Sequence, residues 1–532
     1  MKRVVSIILS VLLTAMMFAS CGDPDSGKTE ETTAPKPVTN LSKPDMSKWR
    51  YIEEKDVYYL VGLDYCEKPA DEKYEQLAVF VPGAFMDSAD NGDGTFTCEL
   101  NESAELCGYT AVNAPITMQV YTPAYAPAEA LTEEFVAHNK SFAERVAEIT
   151  SQGMIFASPG CRGINEGAPA GVTDLKASIR YLRYADDVLP GDAESIFAFG
   201  MSGGGAQAAI LGASGDSELY APYLEAIGAV QGVSDSVKGV MAWCPVTNLG
   251  TANAEYEWMM GCTRKDRTDD ENAISDGLAN AYAEYLNGAG FKDENGKPLT
   301  LTKSDEGIYQ AGSYYEHVKS VIEESLNHYL SDTNFTGGSA QDYIDGLNAD
   351  KKWIDYDKSS NTATIASVAD FVKHCKVASE TPTAFDWPGS HNTLFGYGDG
   401  KGAHFDGILA DVLTDLNSEY AQEYIDDLSK SDSFGYSVEK RVNMYTPLYY
   451  LMESEDGCGS AKVAPYWRIR TGIEQKTNSL TTEINLALAL KGYNGVESVD
   501  FETVWAQNHS EAERKGSSTE NFIAWVNSCM NG

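Results

Sequence analysis

Gly200-Met201-Ser202-Gly203-Gly204 is the stretch of this 532-residue chain whose residue types and spacing suit nucleophilic chemistry. Glycines two before and two after a serine allow a strand and a helix to meet at a tight turn with the hydroxyl exposed at its tip. The amide after the serine and the start of the helix then face any negative charge that develops there. GxSxG letters also occur in glycine-rich loops that only pack a helix on a sheet. Here the apolar run Ile196-Phe197-Ala198-Phe199 precedes the turn and "AQAAILGA" follows it, which predicts strand, elbow and helix with Ser202 as nucleophile. The amide of Gly203 is the expected first donor to an oxyanion.

An activated serine needs a base, and in this arrangement the chain order is serine, acid, histidine. The chain has seven histidines. His138, His317, His328 and His374 sit in helical patterns, and His391 and His404 lie in the middle of the chain. His509 follows the apolar alternation "VDFETVWAQN" and precedes the last helical pattern, so it is the expected base. The acid is expected in the loop after "YWRIRTG", where Glu474 is the one carboxylate before the next helix begins. Glu483 falls in that helix's first turn, where it complements the helix dipole. The loop after "ITMQVYTPAYA" is the expected source of a second oxyanion donor, although residues 121–125 contain no glycine; "SPGCRG" (158–163) is expected to shape a pocket wall.

Short apolar runs alternate with helical patterns through 49–250: "QLAVFVP", "APITMQVYTP", "GMIFASPG", "SIFAFG" and "VKGVMAWCPVTN" read as buried strands. "GVTDLKASIRYLRY" sets Val172, Leu175, Ile179 and Leu182 on one helical face. The rhythm stops near 251 and resumes at 461 with "VAPYWRIRTG", "TTEINLALAL", "VDFETVWAQ" and "TENFIAWVNSC". The expected architecture is an α/β core, 49–250 with 461–532, whose mainly parallel sheet is covered by helices on both faces; a mostly helical insertion over 251–460 interrupts it. "NGDG" (91–94) reads as a hairpin turn rather than a calcium loop, because it lacks the first and closing ligands.

The formal net charge of −39 excludes nucleic acid and anionic lipid headgroups as natural partners. Lys2 and Arg3, the apolar stretch Val4 to Phe18 and the small residues before Cys21 form an export signal over 1–21. Cys21 resembles the lipidated cysteine of a bacterial lipoprotein, so the expected location is outside the cytoplasm with the membrane reached only through that anchor. Residues 22–48, rich in Pro, Thr, Ser and charge, are expected to be a flexible tether. No CxxC or CxxC…HxxxH spacing suggests a metal site, and no cofactor is expected. Cys98 with Cys107 is the only disulfide pairing the spacing suggests.

"GMSGGGAQAAILGASGDSELYAPYLEAIGA", "MAWCPVTNLGTANAEYEWM", "NMYTPLYYL", "YWRIRTG…INLALAL" and "VDFETVWAQNHS" together resemble the bacterial tannase-like branch of the α/β-hydrolases, close to feruloyl-esterase-like enzymes. The fungal tannase type carries cysteines flanking nucleophile and base, where Met201 and Ser510 stand here. The resemblance implies an α/β-hydrolase fold with 251–460 as a lid. It also implies Ser202 and His509 as nucleophile and base, and cofactor-free hydrolysis of small-molecule esters of aromatic acids. In bacterial tannases two aspartates follow the R-x-G strand; Gln475 and Thr477 occupy those places here. Gln475, as a hydrogen-bonding partner of His509, and His391, in "HNTLFGYG", are then the expected substrate-side polar groups. Two other readings stay open: a surface binding protein on a degenerate hydrolase scaffold, and a secreted serine peptidase, for which no propeller-like repeat array is present.

Overall fold

The structure is a computed structural model that describes residues 36–304, 307–378, 381–387 and 391–532. The signal segment, Cys21 and most of the expected tether lie outside the described residues. Nine strands make one sheet: β1 (Arg50–Ile52), β2 (Val57–Asp64), β3 (Gln76–Pro82), β4 (Pro115–Val120), β5 (Ile155–Pro159), β6 (Asp192–Met201), β7 (Gly239–Trp243), β8 (Tyr466–Gly472) and β9 (Ser498–Val504). Their order is β1-β2-β3-β5-β4-β6-β7-β8-β9. The first three strands are antiparallel to their neighbours, and every pairing from β5 to β9 is parallel. β4 and β7 are buried at every residue, as a parallel sheet covered on both faces requires.

The core helices are α1 (Lys140–Thr150), α2 (Ala170–Tyr184), α3 (Gly203–Ala213), α4 (Leu249–Met260), α5 (Leu480–Gly492) and α6 (Ser518–Asn531). The stripe Val172, Leu175, Ile179 and Leu182 of α2 is at most 2% exposed. α3 is built almost wholly of Gly, Ala and aliphatic residues and is buried on every side, so it lies close to the strands at its start. Between β7 and β8 the chain forms α4, the long helices Asp269–Ala289 and Ser313–Asp332, two short hairpins and several shorter helices. The "NGDG" turn joins Met86–Asp90 to Phe96–Leu100 in a hairpin.

Two expectations are corrected. Residues 38–48, assigned to the tether, are fastened to the core. Val38 exchanges backbone hydrogen bonds with Gln231, Thr39 and Asn40 donate to the Glu67 carboxylate, and the Tyr181 and Tyr184 hydroxyls donate to the carbonyls of Ser42 and Leu41. Each polar backbone group of the segment that meets the core finds a specific partner, which composition alone does not reveal. Cys98 and Cys107 are both free thiols, the first buried inside its hairpin and the second exposed.

The loop after β9 has no regular structure of its own, yet ion pairs hold it at several points. Glu513 accepts two hydrogen bonds from Arg468 on β8 at 2.6 and 2.7 Å, one from Trp243 Nε1 at the end of β7 and one from Asn521 on α6. Glu511 accepts from Arg145 on α1, and Arg514 donates to Glu502 on β9 and to Asp332. Removing one member of a buried pair costs up to about 3–5 kcal/mol, and without Glu513 the buried Arg468 keeps only the half-exposed Asp500, 3.3 Å away. Glu513→Ala is therefore expected to lower the unfolding free energy by up to that amount, read as the shift in urea-denaturation midpoint at unchanged m-value.

Candidate active site

Ser202 lies between β6 and α3 with φ 60° and ψ −123°, a conformation a non-glycine residue adopts only when its surroundings impose it. Three contacts impose it here. The Ser202 amide donates to the Trp243 carbonyl at 2.9 Å. A Cβ on Gly200 would sit 2.5 Å from Gly204's carbonyl carbon, and one on Gly204 would sit 2.2 Å from the Val120 carbonyl oxygen. Strand and helix thus meet at a distance that only glycine permits, and the serine hydroxyl is pushed out at the carboxyl edge of the sheet.

His509 arrives from the pinned loop after β9. Its Nε2 lies 2.8 Å from Ser202 Oγ and its Nδ1 lies 2.7 Å from Gln475 Oε1. The loop can reach the serine because Gly472, at the end of β8, leaves room: a Cβ there would be 2.0 Å from the Asn508 carbonyl oxygen. An amide oxygen only accepts, so Nδ1 carries the proton and Nε2 presents its lone pair to the serine. The Thr477 hydroxyl is a second neighbour of Nδ1 at 3.1 Å. Burial, and after it the Lys376 ammonium, hold the His509 pKa below its ordinary value of 6.5.

Gln475, and not the expected Glu474, is the residue on His509. The turn after β8 decides this: the Gln475 amide donates to the Gly472 carbonyl, the Glu474 amide pairs with the Gln507 carbonyl, and the two side chains leave the backbone on different sides. Gln475 is buried, whereas Glu474 is half-buried with its charge near Cys375 and Tyr343. Behind Gln475 stands Glu483, wholly buried on the first turn of α5. Its Oε1 accepts from Gln475 Nε2 at 2.6 Å and from Asn478 Nδ2 at 3.0 Å. The buried Lys376 ammonium donates to the Gln475 main-chain carbonyl.

The segment after β4 runs over the start of α3. Ala124 and Tyr125 both have positive φ, 51° and 58°, at a cost of about 1–3 kcal/mol each. A Cβ on Gly203 would touch the Tyr125 nitrogen at 2.5 Å and the Ala124 nitrogen at 3.2 Å. The Gly203 amide opens α3, where N–H groups have no partner within the helix, and Ala124, left-handed at φ 51° and ψ 33°, lies beside it. Gly203 and Ala124 both line the cavity above Ser202, in a loop without a glycine run.

That cavity measures about 250 Å³ and is walled by Tyr125, Val246, Phe385, His391 and Thr477. His391 stacks on Phe385 with ring centroids 5.4 Å apart and meets Tyr125 edge-on, and burial pushes its pKa down to about 4. The Phe385 amide donates to Asn253 on α4, and the Tyr125 hydroxyl donates to the Val246 carbonyl. Among the described residues no carboxylate lines this cavity. "SPGCRG" does not line it either: Arg162 is turned onto Asp174 within the fold. Ala124, Tyr125, Val246 and Phe385 carry no motif and become site residues only through the approach of distant segments; the signal that locates Ala124 is its place just after the strand next to the elbow. Among the described residues no group of three or more His, Cys, Asp or Glu side chains is arranged to hold a metal ion.

The BD-FAE family model matches residues 130–306, which contain the elbow and stop short of Gln475 and His509. No curated protein sequence matches the chain. Solved structures do. A tannin acyl hydrolase from Lactobacillus plantarum superposes with TM-score 0.72 at 24% identity, covering 92% of this chain and 98% of its own. The Fusobacterium nucleatum tannase gives 0.69 at 26% identity, covering 89% and 95%. The chain has a tannase-like α/β-hydrolase fold. On that tannase-like fold the elbow, the histidine loop and the turn after β8 meet at one carboxyl edge, the position at which open α/β sheets bind ligands.

Protonation at this site is directly measurable. In an NMR titration the His509 ring is expected to titrate below pH 6.5 and the His391 ring near pH 4; a His391 midpoint at or above 6.5 contradicts its burial against Phe385.

Proposed function

We propose that the protein is a serine carboxylic-ester hydrolase acting on small-molecule esters of aromatic acids. The observation that carries the reading is the 2.8 Å contact between Ser202 Oγ and His509 Nε2 at a strained elbow. Ser202 Oγ attacks the ester carbonyl as its proton passes to His509 Nε2, and the Gly203 and Ala124 amides receive the charge on the carbonyl oxygen. His509 then returns the proton to the departing alkoxide. Water, deprotonated by the same nitrogen, cleaves the acyl-enzyme and releases the acid. No step draws on a cofactor.

The acyl side of the substrate is read from the cavity. Phe385, Tyr125, Val246 and a neutral His391 offer flat, mostly apolar walls that suit an aromatic ring. The solved tannases of like fold are named for tannin acyl esters, and one was solved with ethyl gallate at 24% identity, which supports the same substrate class here. The reading includes export and anchoring through Cys21, on the strength of the basic, apolar and small-residue order of 1–21. No helix among the described residues is long and apolar enough to cross a membrane.

Ser202→Ala is expected to abolish turnover of methyl ferulate, methyl gallate and short nitrophenyl esters, together with labelling by a fluorophosphonate probe; residual wild-type rates overturn the reading. Wild-type protein that is neither labelled nor active points to the binding-protein alternative. Because His509 must be neutral to accept the proton, and its pKa is depressed, activity persists as pH falls to 6.5 and is lost below it. The acid limb of kcat/KM is therefore expected below pH 6.5.

A further inference from the structure

A glutamine on His509 raises a problem of specification. The two ends of a carboxamide have nearly the same shape, so packing does not decide whether oxygen or nitrogen faces the imidazole. The choice matters. With Oε1 facing Nδ1, the histidine holds its proton on Nδ1 and Nε2 is free to accept. With Nε2 facing Nδ1, the tautomer reverses and Nε2 is blocked by its own hydrogen. The Thr477 hydroxyl at 3.1 Å does not decide it, since a hydroxyl both donates and accepts.

We infer that Glu483 is the positioning residue of this site: by accepting from Gln475 Nε2 it fixes the amide's polarity, and through Gln475 it fixes the tautomer of His509. Glu483 Oε1 takes donors from three sides, Gln475 Nε2, Asn478 Nδ2 and the Thr471 hydroxyl, so it acts as an acceptor and only the NH2 end of Gln475 can face it. Burial pushes the Glu483 pKa up, and the Lys376 ammonium with the Asn478 and Gln475 amides pulls the other way. Gln475 Nε2 and Asn478 Nδ2 both donate to Oε1, the Thr471 hydroxyl lies 3.2 Å away, and the buried Lys376 ammonium acts on it at longer range. The Thr471 hydroxyl also lies 2.6 Å from Gln475 Nε2, completing a small network around Glu483 Oε1. Gln475 is held a second time at its backbone, where the Lys376 ammonium donates to its carbonyl.

The remaining titratable groups around Glu483 are Glu255 on α4, which binds the Thr481 and Thr482 hydroxyls of α5, and the Cys244 thiol after β7. Glu255 repels the Glu483 charge and Lys376 attracts it. The carboxylate thus orients the relay while its charge is kept one side chain away from the imidazole. The inference rests on the proposed catalytic roles of Ser202 and His509 for its kinetic consequence, but not for its structural one.

Two variants and two readouts test it. Glu483→Gln keeps the shape and lets Gln475 turn; it is expected to lower kcat about tenfold or more with KM unchanged, and to mix the Nδ1–H and Nε2–H tautomers of His509 in nitrogen NMR spectra. The exchange Gln475→Glu with Glu483→Gln moves the carboxylate directly onto Nδ1. It is expected to recover most of kcat and to shift the acid limb to higher pH, which a merely structural role for Glu483 does not predict. A Glu483→Gln variant with wild-type kcat and a single Nδ1–H tautomer overturns the inference. Should that variant not fold, the exchange variant decides alone, and an unmoved acid limb overturns it. If the tautomer responds but no form of the protein hydrolyses an ester, the positioning role stands and the esterase reading falls.

Discussion

The buried pair between Arg468 and Glu513 is the interaction on which the site depends. The loop that carries His509 has no hydrogen-bonded ladder of its own, and entropy favours a loop of this kind sampling many conformations. Glu513 ends that freedom by binding β8 through Arg468, β7 through Trp243 and α6 through Asn521, four residues beyond the imidazole. A buried ion pair adds little net stability over an apolar contact, but it is intolerant of misplacement. Here that intolerance sets where His509 stands, with Glu511 and Arg514 fastening the loop further to α1 and β9.

Backbone strain is the second constraint, and it lies where the chemistry is. Ser202, Ala124 and Tyr125 all hold positive φ within one small region, and each is kept there by close approach to its neighbours. Gly200, Gly203 and Gly204 make that approach possible, so the strain of the non-glycine residues depends on the glycines beside them. The result is a rigid elbow that holds the Ser202 hydroxyl at the cavity.

The third constraint is electrostatic. A carboxylate directly on Nδ1 would stabilise an imidazolium. In this chain the Gln475 amide stands between the ring and the Glu483 carboxylate, and burial and the Lys376 ammonium together depress the pKa of His509. The imidazole therefore stays neutral to lower pH than an ordinary histidine does.

Much of this was legible in the sequence where the governing forces are local. Period-two and all-apolar runs such as "IFAFG" and "GVMAW" locate the parallel strands, and the spacing of Val172, Leu175, Ile179 and Leu182 locates α2, because burial imposes those periods directly on neighbouring residues. GxSxG marks Ser202 because steric crowding at an elbow acts within five residues. What the sequence alone did not reveal depends on contacts between segments hundreds of residues apart. Glu474 and Gln475 are adjacent letters, and only the turn from Gly472, with the Gln507 carbonyl holding the Glu474 amide, decides which of them meets His509. Glu483 looks from its position like a residue complementing a helix dipole, Ala124 is marked only by its place in the loop after β4, and Phe385 carries no signal. The sequence by itself determined the sheet, the elbow and the candidate nucleophile and base; the tertiary structure decided which side chain meets His509, what stands behind it and the walls of the cavity, because each is a matter of distance between parts of the chain that share no local pattern.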